Sequence, residues 1–165
     1  MQTPKRKPGQ YSNLKPDVNI TEEKYNELRA KLDKLKKIHP AAATEVKRLA
    51  EMGDFSENAG YQMAKGKLRG INQRILDIED HLKNANIIKA PKNTNTIQLG
   101  HEVIVEVNGQ EKEFLILGSS ETDPEKNIIS HNSPIGKALI GHRVGDIVKL
   151  QLKEREVEYK IISIN

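Results

Sequence analysis

The stretch YQMAKGKLRGINQRILDIEDHLKNA, residues 61–85, decides the fold of this 165-residue chain. Its apolar and aromatic side chains recur at alternating intervals of three and four residues: Tyr61, Ala64, Leu68, Ile71, Ile75, Ile78, Leu82 and Ala85. That spacing places them on one stripe of an α-helix. A stripe of this length has to be covered, so the pattern predicts a long helix that packs along a partner.

A preceding segment supplies the partner, because the same spacing runs through Tyr25, Leu28, Leu32, Leu35, His39, Ala42, Val46 and Leu49. Thr21 suits an N-cap, and Pro40 predicts a kink or a brief break. Two stripes of equal length with a short connection predict an antiparallel coiled-coil hairpin over residues 21–90. At 1.5 Å per residue the first helix is about 45–50 Å long, so the hairpin should project as an arm.

Beyond Pro91 the pattern changes to that of strands. Val103, Val105 and Val107 alternate with other residues and lead into Asn108-Gly109, the strongest short signal for a β-hairpin. Further strands are predicted at Phe114–Leu117, Asn127–Ser130, Asp146–Leu152 and Val157–Ile164.

A short helix is predicted inside this region. Ser133-Pro134 suits an N-cap and a first helical residue, opening a helix over Ile135–Ile140 that Gly141 stops. Residues 91–165 should therefore form an antiparallel β domain with one short helix. The fold class of the whole chain is α+β.

Composition excludes several classes of protein. Charged residues are 30% and aromatic residues 4% of the chain, and no run of about 18 apolar residues predicts a membrane span. The basic start lacks the apolar stretch of a secretory signal. Cys is absent, which excludes disulfides and a thiol nucleophile. Phosphate-loop, HExxH and nucleophile–base patterns are absent too, so we expect a cytoplasmic protein that is no enzyme and binds no cofactor alone.

Residues 1–20 hold three of the seven prolines and carry a net charge of +3. They are predicted to form a flexible basic tail. Its Lys5-Arg6-Lys7 cluster is compatible with a nucleic-acid contact and with a solvated tail.

The hairpin tip, near residues 51–57, is acidic. No basic residue lies between Arg48 and Lys65, whereas Glu51, Asp54 and Glu57 fall in that interval. One interpretation is helix capping, with Asp54 as the N-cap of the second helix and Glu57 three residues later. The other is metal coordination, because Mg²⁺ commonly takes one or two carboxylates together with water and phosphate. The two interpretations are compatible.

Below the tip, basic residues flank the acidic interval on both helices. An antiparallel hairpin should bring them together as a ring that we call the basic collar: Lys47, Arg48, Lys65, Lys67 and Arg69.

Two motifs carry a resemblance to a known family. The tip Met52–Tyr61, sequence MGDFSENAGY, and the segment Asn127–Gly141, continued by Val144-Gly145-Asp146, resemble the two motifs of the bacterial Gre transcript cleavage factors, GreA and GreB. The likeness covers about residues 20–165.

The resemblance implies a factor that enters the secondary channel of bacterial RNA polymerase. There it stimulates the polymerase's own cleavage of backtracked RNA at the 3′ end of the nascent transcript. Asp54 and Glu57 match the tip acids that hold the second Mg²⁺, an ion shared with the polymerase active site. The basic collar matches an RNA-contacting patch in location.

The resemblance further implies an FKBP-like β domain that docks on the polymerase. Ser133, Pro134 and Ile135 match the docking loop, although a plain helix cap explains the same residues. We expect a monomer with no membrane partner.

One departure from the family pattern keeps a second function open. Gly60 stands where the family usually has an acid, which keeps open a Gre-like regulator that binds the channel without promoting cleavage. The intact Asp54 and Glu57 argue against that regulator. A prolyl isomerase needs an aromatic-lined pocket, and the β domain offers only Phe114 and Tyr159 for one. Whether cleavage products would be GreA-like or GreB-like in length does not follow from the sequence.

Overall fold

The computed structural model describes residues 17–52, 58–89, 91, 93–152 and 155–165. Within these residues an α-helical hairpin, the arm, is followed by a five-stranded sheet that carries one short helix, the β domain. The α+β prediction is confirmed. No helix in the described residues is long and apolar enough to cross a bilayer.

The arm consists of α1 (Glu22–Glu51) and α2 (Ala59–Asn84). Thr21 caps α1 as predicted, since its side chain accepts a hydrogen bond from the backbone N–H of Lys24 at 3.1 Å. The break predicted at Pro40 is wrong, because α1 runs through this residue. A proline removes only one backbone donor, and the apolar seam continues on both sides of it.

The predicted seam is confirmed, since every one of its positions is buried or half-buried. At its centre lie Leu32, Leu35, Ile71 and Ile78, with Leu28, Ala42, Ile75 and Leu82 packed around them. An ion pair of 2.7 Å between Lys36 and Glu79 joins the two helices. These contacts hold α1 and α2 antiparallel along the arm.

The β domain is built on five strands in the order β5-β4-β3-β7-β6. They are β3 (Glu102–Val107), β4 (Gln110–Leu117), β5 (Ile128–Ser130), β6 (Ile147–Leu152) and β7 (Arg155–Ile164). Asn108 and Gly109 turn between β3 and β4 with φ of 52° and 75°, as the hairpin prediction requires. The core lies between the sheet and α3 (Pro134–Leu139), whose Leu139 is fully buried.

The prediction of a purely antiparallel sheet is wrong at one edge. β5 runs parallel to β4, with Leu115 opposite Ile128 and Leu117 opposite Ser130. Two 3₁₀ turns, Ser119–Glu121 and Pro124–Lys126, lie between these strands. They carry the chain back along β4 before β5 begins, so β5 takes the same direction as β4.

A short parallel ladder closes the base of the arm. β1 (Asn19–Ile20), which enters α1, pairs with β2 (Asn86–Ile87), which leaves α2. Ile20 is fully buried. The predicted tail boundary at residue 20 is therefore wrong, because residues 17–20 belong to the folded part. Strands of two residues are too short to produce a periodic pattern in the sequence.

Candidate functional sites

The far end of the arm lies where α1 ends and α2 begins. Met52 is the C-cap of α1, and Asn58 is the N-cap of α2, with its side-chain oxygen 3.0 Å from the backbone nitrogen of Tyr61. Asp54 and Glu57 lie outside the described residues, so their coordination role stays a prediction. The capping prediction for them is wrong, because Asn58 caps the helix and both acids precede it. Asn is as good an N-cap as Asp, so spacing could not choose between them.

Gly60 lies in the first turn of α2, where no acidic residue is present. A Cβ added there would lie 3.2 Å from Oδ1 of Asn58, the atom that caps the helix. The glycine therefore leaves room for the cap, and a larger residue needs a small shift of the Asn58 side chain.

All five residues of the basic collar are exposed on the arm. Glu45 and Lys67 line one groove between the helices. The stretches around Arg48 on α1 and around Lys67 on α2 therefore lie at a similar position along the axis of the arm. The structure thus places the five predicted residues on facing stretches of the two helices.

Two collar cations are paired with acids of their own helix. Arg48 donates two hydrogen bonds to Glu45 at 2.8 and 2.9 Å, and Nζ of Lys47 lies 4.0 Å from Glu51. The bond from Arg48 lowers the pKa of Glu45 and raises the pKa of Arg48. Exposed pairs of this kind contribute little to stability. A phosphate group can therefore replace the carboxylates at little cost.

On α2 the ammonium group of Lys65 lies 5.7 Å from the centre of the Tyr61 ring. This distance is within the range of a cation–π contact. The contact holds the Lys65 charge close to the tip end of α2.

The three residues of the predicted docking loop have different surroundings. Ser133 caps α3 by accepting from the backbone N–H of Gly136 at 3.0 Å, and Ile135 packs on the core of the β domain. Pro134 is exposed. It borders a groove of about 240 Å³ together with Pro124 and Ile129. Of the three, only the Pro134 ring lies mainly on the surface.

The contact between arm and β domain, which we call the joint, was missed by sequence reasoning. The Asp17 side chain is 6% exposed, and its carboxylate accepts from the backbone N–H of Ser119 at 2.7 Å and of Asn19 at 3.1 Å. Nδ1 of His131 lies 3.3 Å away. Burial would raise the pKa of Asp17, but the hydrogen bonds from Ser119 and Asn19 and the nearby His131 together lower it.

A second carboxylate completes the joint. Glu121 accepts from the backbone N–H of Thr21 at 2.8 Å and from its hydroxyl group. The backbone approaches closely beside it, because a Cβ at Gly118 would overlap the carbonyl oxygen of Asn19. These partners are about 100 residues apart in sequence. No local pattern could have indicated the contact.

Two residues that the sequence analysis singled out, a histidine and a tyrosine, are packed in the described part of the chain. His39 is half-buried at its seam position, and Tyr159 is buried in the core rather than in an open pocket. In the part of the chain that the structure describes, no three His, Asp or Glu side chains lie close enough together to hold a metal ion.

Comparisons with known proteins match both parts of the chain. The family "Transcription elongation factor, N-terminal" matches residues 18–87, and "Transcription elongation factor, GreA/GreB, C-term" matches residues 91–165. Transcription elongation factor GreA of Thermosipho africanus is 37% identical over 153 residues, which cover 91% of this chain and 97% of that protein. GreA of Staphylococcus saprophyticus is 39% identical, covering 88% and 94% of the two chains.

Among solved structures, GreA factor homolog 1 of Thermus thermophilus is 29% identical, covering 90% of this chain and 99% of that one, with a TM-score of 0.42. The two family matches and the identity to GreA proteins over most of the sequence establish the assignment. The chain belongs to the GreA/GreB family of transcription elongation factors.

Proposed function

We propose that this elongation factor acts on bacterial RNA polymerase in the cytoplasm. It inserts its arm into the secondary channel and stimulates the polymerase's own cleavage of backtracked nascent RNA, so that arrested complexes resume synthesis. Family membership supports a role in elongation. The cleavage step rests on the arm and its tip.

The position of two acids carries this proposal. Asp54 and Glu57 lie in the five-residue connection between Met52 and Asn58, which are the caps of the two helices. The thirty residues of α1 correspond to roughly 45 Å of helix. Met52 and Asn58 therefore mark the end of a narrow two-helix arm, far from the joint, and we infer that the two acids between them in sequence are presented there.

Carboxylate oxygens are ligands suited to Mg²⁺, and the remaining ligands would come from polymerase and RNA. Under this proposal the chain contributes the two tip acids to a metal site that polymerase and RNA complete. A second Mg²⁺ in the polymerase centre would activate water for phosphodiester hydrolysis. Asp54 and Glu57 would hold that ion, and the factor alone would hydrolyse no RNA.

The basic collar would contact the RNA 3′ end below the tip. Its residues are exposed, and the ion pairs of Lys47 and Arg48 are of the weak surface kind. When a phosphate binds, Lys47 and Arg48 exchange a carboxylate partner for a phosphate partner. Because this contact is electrostatic, it should weaken as the salt concentration rises.

The decisive experiment is a transcript-cleavage assay on stalled, backtracked elongation complexes. We compare the wild type with Asp54→Asn/Glu57→Gln, which removes two negative charges and leaves the Asn58 cap in place. Loss of metal ligands should slow stimulated cleavage at least about 100-fold, since each 1.36 kcal/mol changes a rate tenfold.

The matched control is Asp33→Asn/Asp77→Asn, which removes two exposed charges from the shaft of the arm. It should cleave like the wild type. Competition binding to polymerase should change little for either variant. Wild-type stimulation by the tip variant would refute the assigned role of the two acids.

The docking loop is tested at Pro134, because Ile135 is half-buried and packs against the core, so that its replacement would also perturb the fold. Pro134→Glu puts a charge on the exposed first position of α3, where an acid is compatible with the helix. We expect weaker competition for polymerase at an unchanged melting temperature. Binding equal to that of the wild type would remove this residue from the interface.

One observation favours a second function. The first turn of α2 has no acid, and Gly60 occupies the place of the usual third tip acid. A tip with one carboxylate fewer fits a regulator that fills the channel without promoting cleavage. In the same assay such a regulator would slow RNA synthesis and yield no cleavage products, whereas the leading proposal requires those products.

A further inference from the structure

A cleft of about 620 Å³, which we call the joint cleft, lies between the first turns of α1 and the β4/β5 edge of the sheet. Its floor is apolar and is formed by Leu115, Leu117, Ile128 and Ile88. None of the collar residues and none of Ser133, Pro134 and Ile135 lines this cleft, although Ile128 borders both it and the groove beside Pro134. An apolar floor of this kind accepts the aliphatic stems of lysine and arginine side chains.

The rim of the joint cleft is acidic. Two of its carboxylates are already matched, because Lys24 pairs with Glu27 at 2.7 Å and Lys126 with Asp123 at 3.5 Å. Three remain for which the described residues provide no ion pair: Glu22, Glu23 and Glu121. Glu121 accepts hydrogen bonds from Thr21, which provides no positive charge. The cleft therefore has a surplus of negative charge beside an apolar floor, which favours a cationic segment.

A segment of this chain has the complementary charge. Residues 1–16 lie outside the described part, precede the family match, and carry four basic residues and no acidic one. Three of the four are consecutive, Lys5-Arg6-Lys7. Their number equals that of the unmatched carboxylates on the rim.

The tether of this segment lies at the cleft. The chain enters the described part at Asp17, which is bonded to Ser119, and Ser119 opens the 3₁₀ turn that ends at the rim residue Glu121. The ten residues from Lys7 to Asp17 span at most about 33–36 Å, which exceeds what such a cleft requires. A short tether also keeps the effective concentration of the segment in the millimolar range.

We propose that Lys5-Arg6-Lys7 docks in the joint cleft of its own chain and pairs there with Glu22, Glu23 and Glu121. The docked segment connects the base of the arm to the β domain across the joint. This assignment does not depend on transcript cleavage.

The experiment uses the full chain, which has no cysteine of its own. Thr3→Cys carries a nitroxide label, and broadening of backbone amide signals is measured by NMR. We expect selective broadening at Leu115, Leu117 and Ile128. It should disappear in Lys5→Glu/Arg6→Glu/Lys7→Glu, and also in about 1 M salt, where the screening length falls to roughly 3 Å.

Charge exchange separates pairing from a change in folding. Glu22→Lys/Glu23→Lys should abolish the selective broadening, and combining it with the reversed tail should restore it. The matched control is Glu156→Lys/Glu158→Lys on β7, away from the cleft, and it should keep the wild-type pattern. Damage to the fold could not explain why the combined variant regains the selective broadening.

Several results would overturn the proposal. Broadening centred on the collar, an even distribution over the chain, or a pattern insensitive to both charge reversals would each do so. If the reversed tail instead lowers affinity for a single-stranded RNA oligonucleotide and the cleft shows no broadening, the segment is a nucleic-acid contact.

Discussion

The arm and the β domain differ in how deeply they bury apolar side chains. Among the described residues the seam of the arm holds four buried ones, and each keeps 5–8% of its surface exposed. The β domain holds eleven, and six of these are at most 1% exposed. Two helices alone leave solvent on both sides of their seam, whereas a sheet covered by α3 can enclose a residue completely.

This difference corresponds to two tasks. A thin arm reaches far, but it has little apolar burial per residue to stabilise it. The β domain has enough buried area to fold around its own core and to serve as a fixed base. The stability of the arm should therefore depend on the packing of its seam, on the joint at its base and on residues that weaken the helices along its length.

The largest expected effect separates the two cores. Ile161→Ala removes a side chain that is 1% exposed in the β domain, and Ile78→Ala removes one that is 8% exposed in the arm. We expect losses of about 3–5 and about 2–3 kcal/mol respectively, because a cavity inside an enclosed core collapses less readily. Urea denaturation followed by circular dichroism measures both. Equal losses would contradict the contrast between the regions.

The next effect concerns the joint. Gly118→Ala places a methyl group against the backbone carbonyl of Asn19, and neither backbone can yield easily. We expect a loss of about 2–3 kcal/mol. Amide hydrogen exchange should show faster opening of β1 and β2, with the strands of the β domain still protected. Gly109→Ala, in open space at a positive φ, is the control for backbone strain without a clash. If the β1 amides of the variant are as well protected from exchange as those of the wild type, the backbone at the base of the arm can move to accommodate the methyl group.

A smaller effect should depend on pH. Asp17→Asn replaces one carboxylate oxygen by an amide NH₂ group, which then faces the backbone N–H of Ser119. Because two donors cannot pair, the free energy of unfolding should fall by about 1–3 kcal/mol near neutral pH. The folded-state pKa of Asp17 is lowered. Its stabilisation is thus complete above the unfolded pKa of about 3.9 and is lost as the pH falls through the folded value. Melting curves of wild type and variant should converge in that acidic range. If the difference in melting temperature persists in that range, the destabilisation comes from the shape of the asparagine side chain and not from the lost charge.

The smallest effect is a gain. Gly66 and Gly70 lie inside α2, and a Cβ at either position would meet nothing within 4 Å. Gly66→Ala and Gly70→Ala should each stabilise the arm by up to about 1 kcal/mol, because alanine favours the helix. Thermal melting of the helical signal measures the gain. A loss on either substitution would mean that the glycine serves a need other than helix formation.

Local signals in the sequence predicted much of the fold. The seam positions, the Thr21 cap, the Asn108-Gly109 turn and the Ser133 cap of α3 all depend on residues within a few positions of each other. Each of these patterns is favoured by backbone geometry alone. They therefore survive in the structure nearly as predicted.

Some features of the candidate sites also depend on local signals in the sequence, and others do not. The exposed collar could be read from charge along the chain, whereas the role of the tip acids stays a prediction. The cap of α2 could not, because Asp54 and Asn58 are equally suitable and the helix begins after the second. Ile135 was assigned to the docking surface, and it is half-buried and packs against the core. The six residues of a short helix near a sheet give no reliable face.

By itself the sequence determined two long apolar stripes, a strand-rich region after Pro91 and a cluster of acids between the stripes, because these depend on periodicity and local charge. Only the tertiary structure decided the parallel edge strand β5 and the joint of Asp17 and Glu121 with residues about 100 positions away. The physical reason is that pairings between distant segments depend on how packed elements meet in space, and no local backbone preference encodes that meeting.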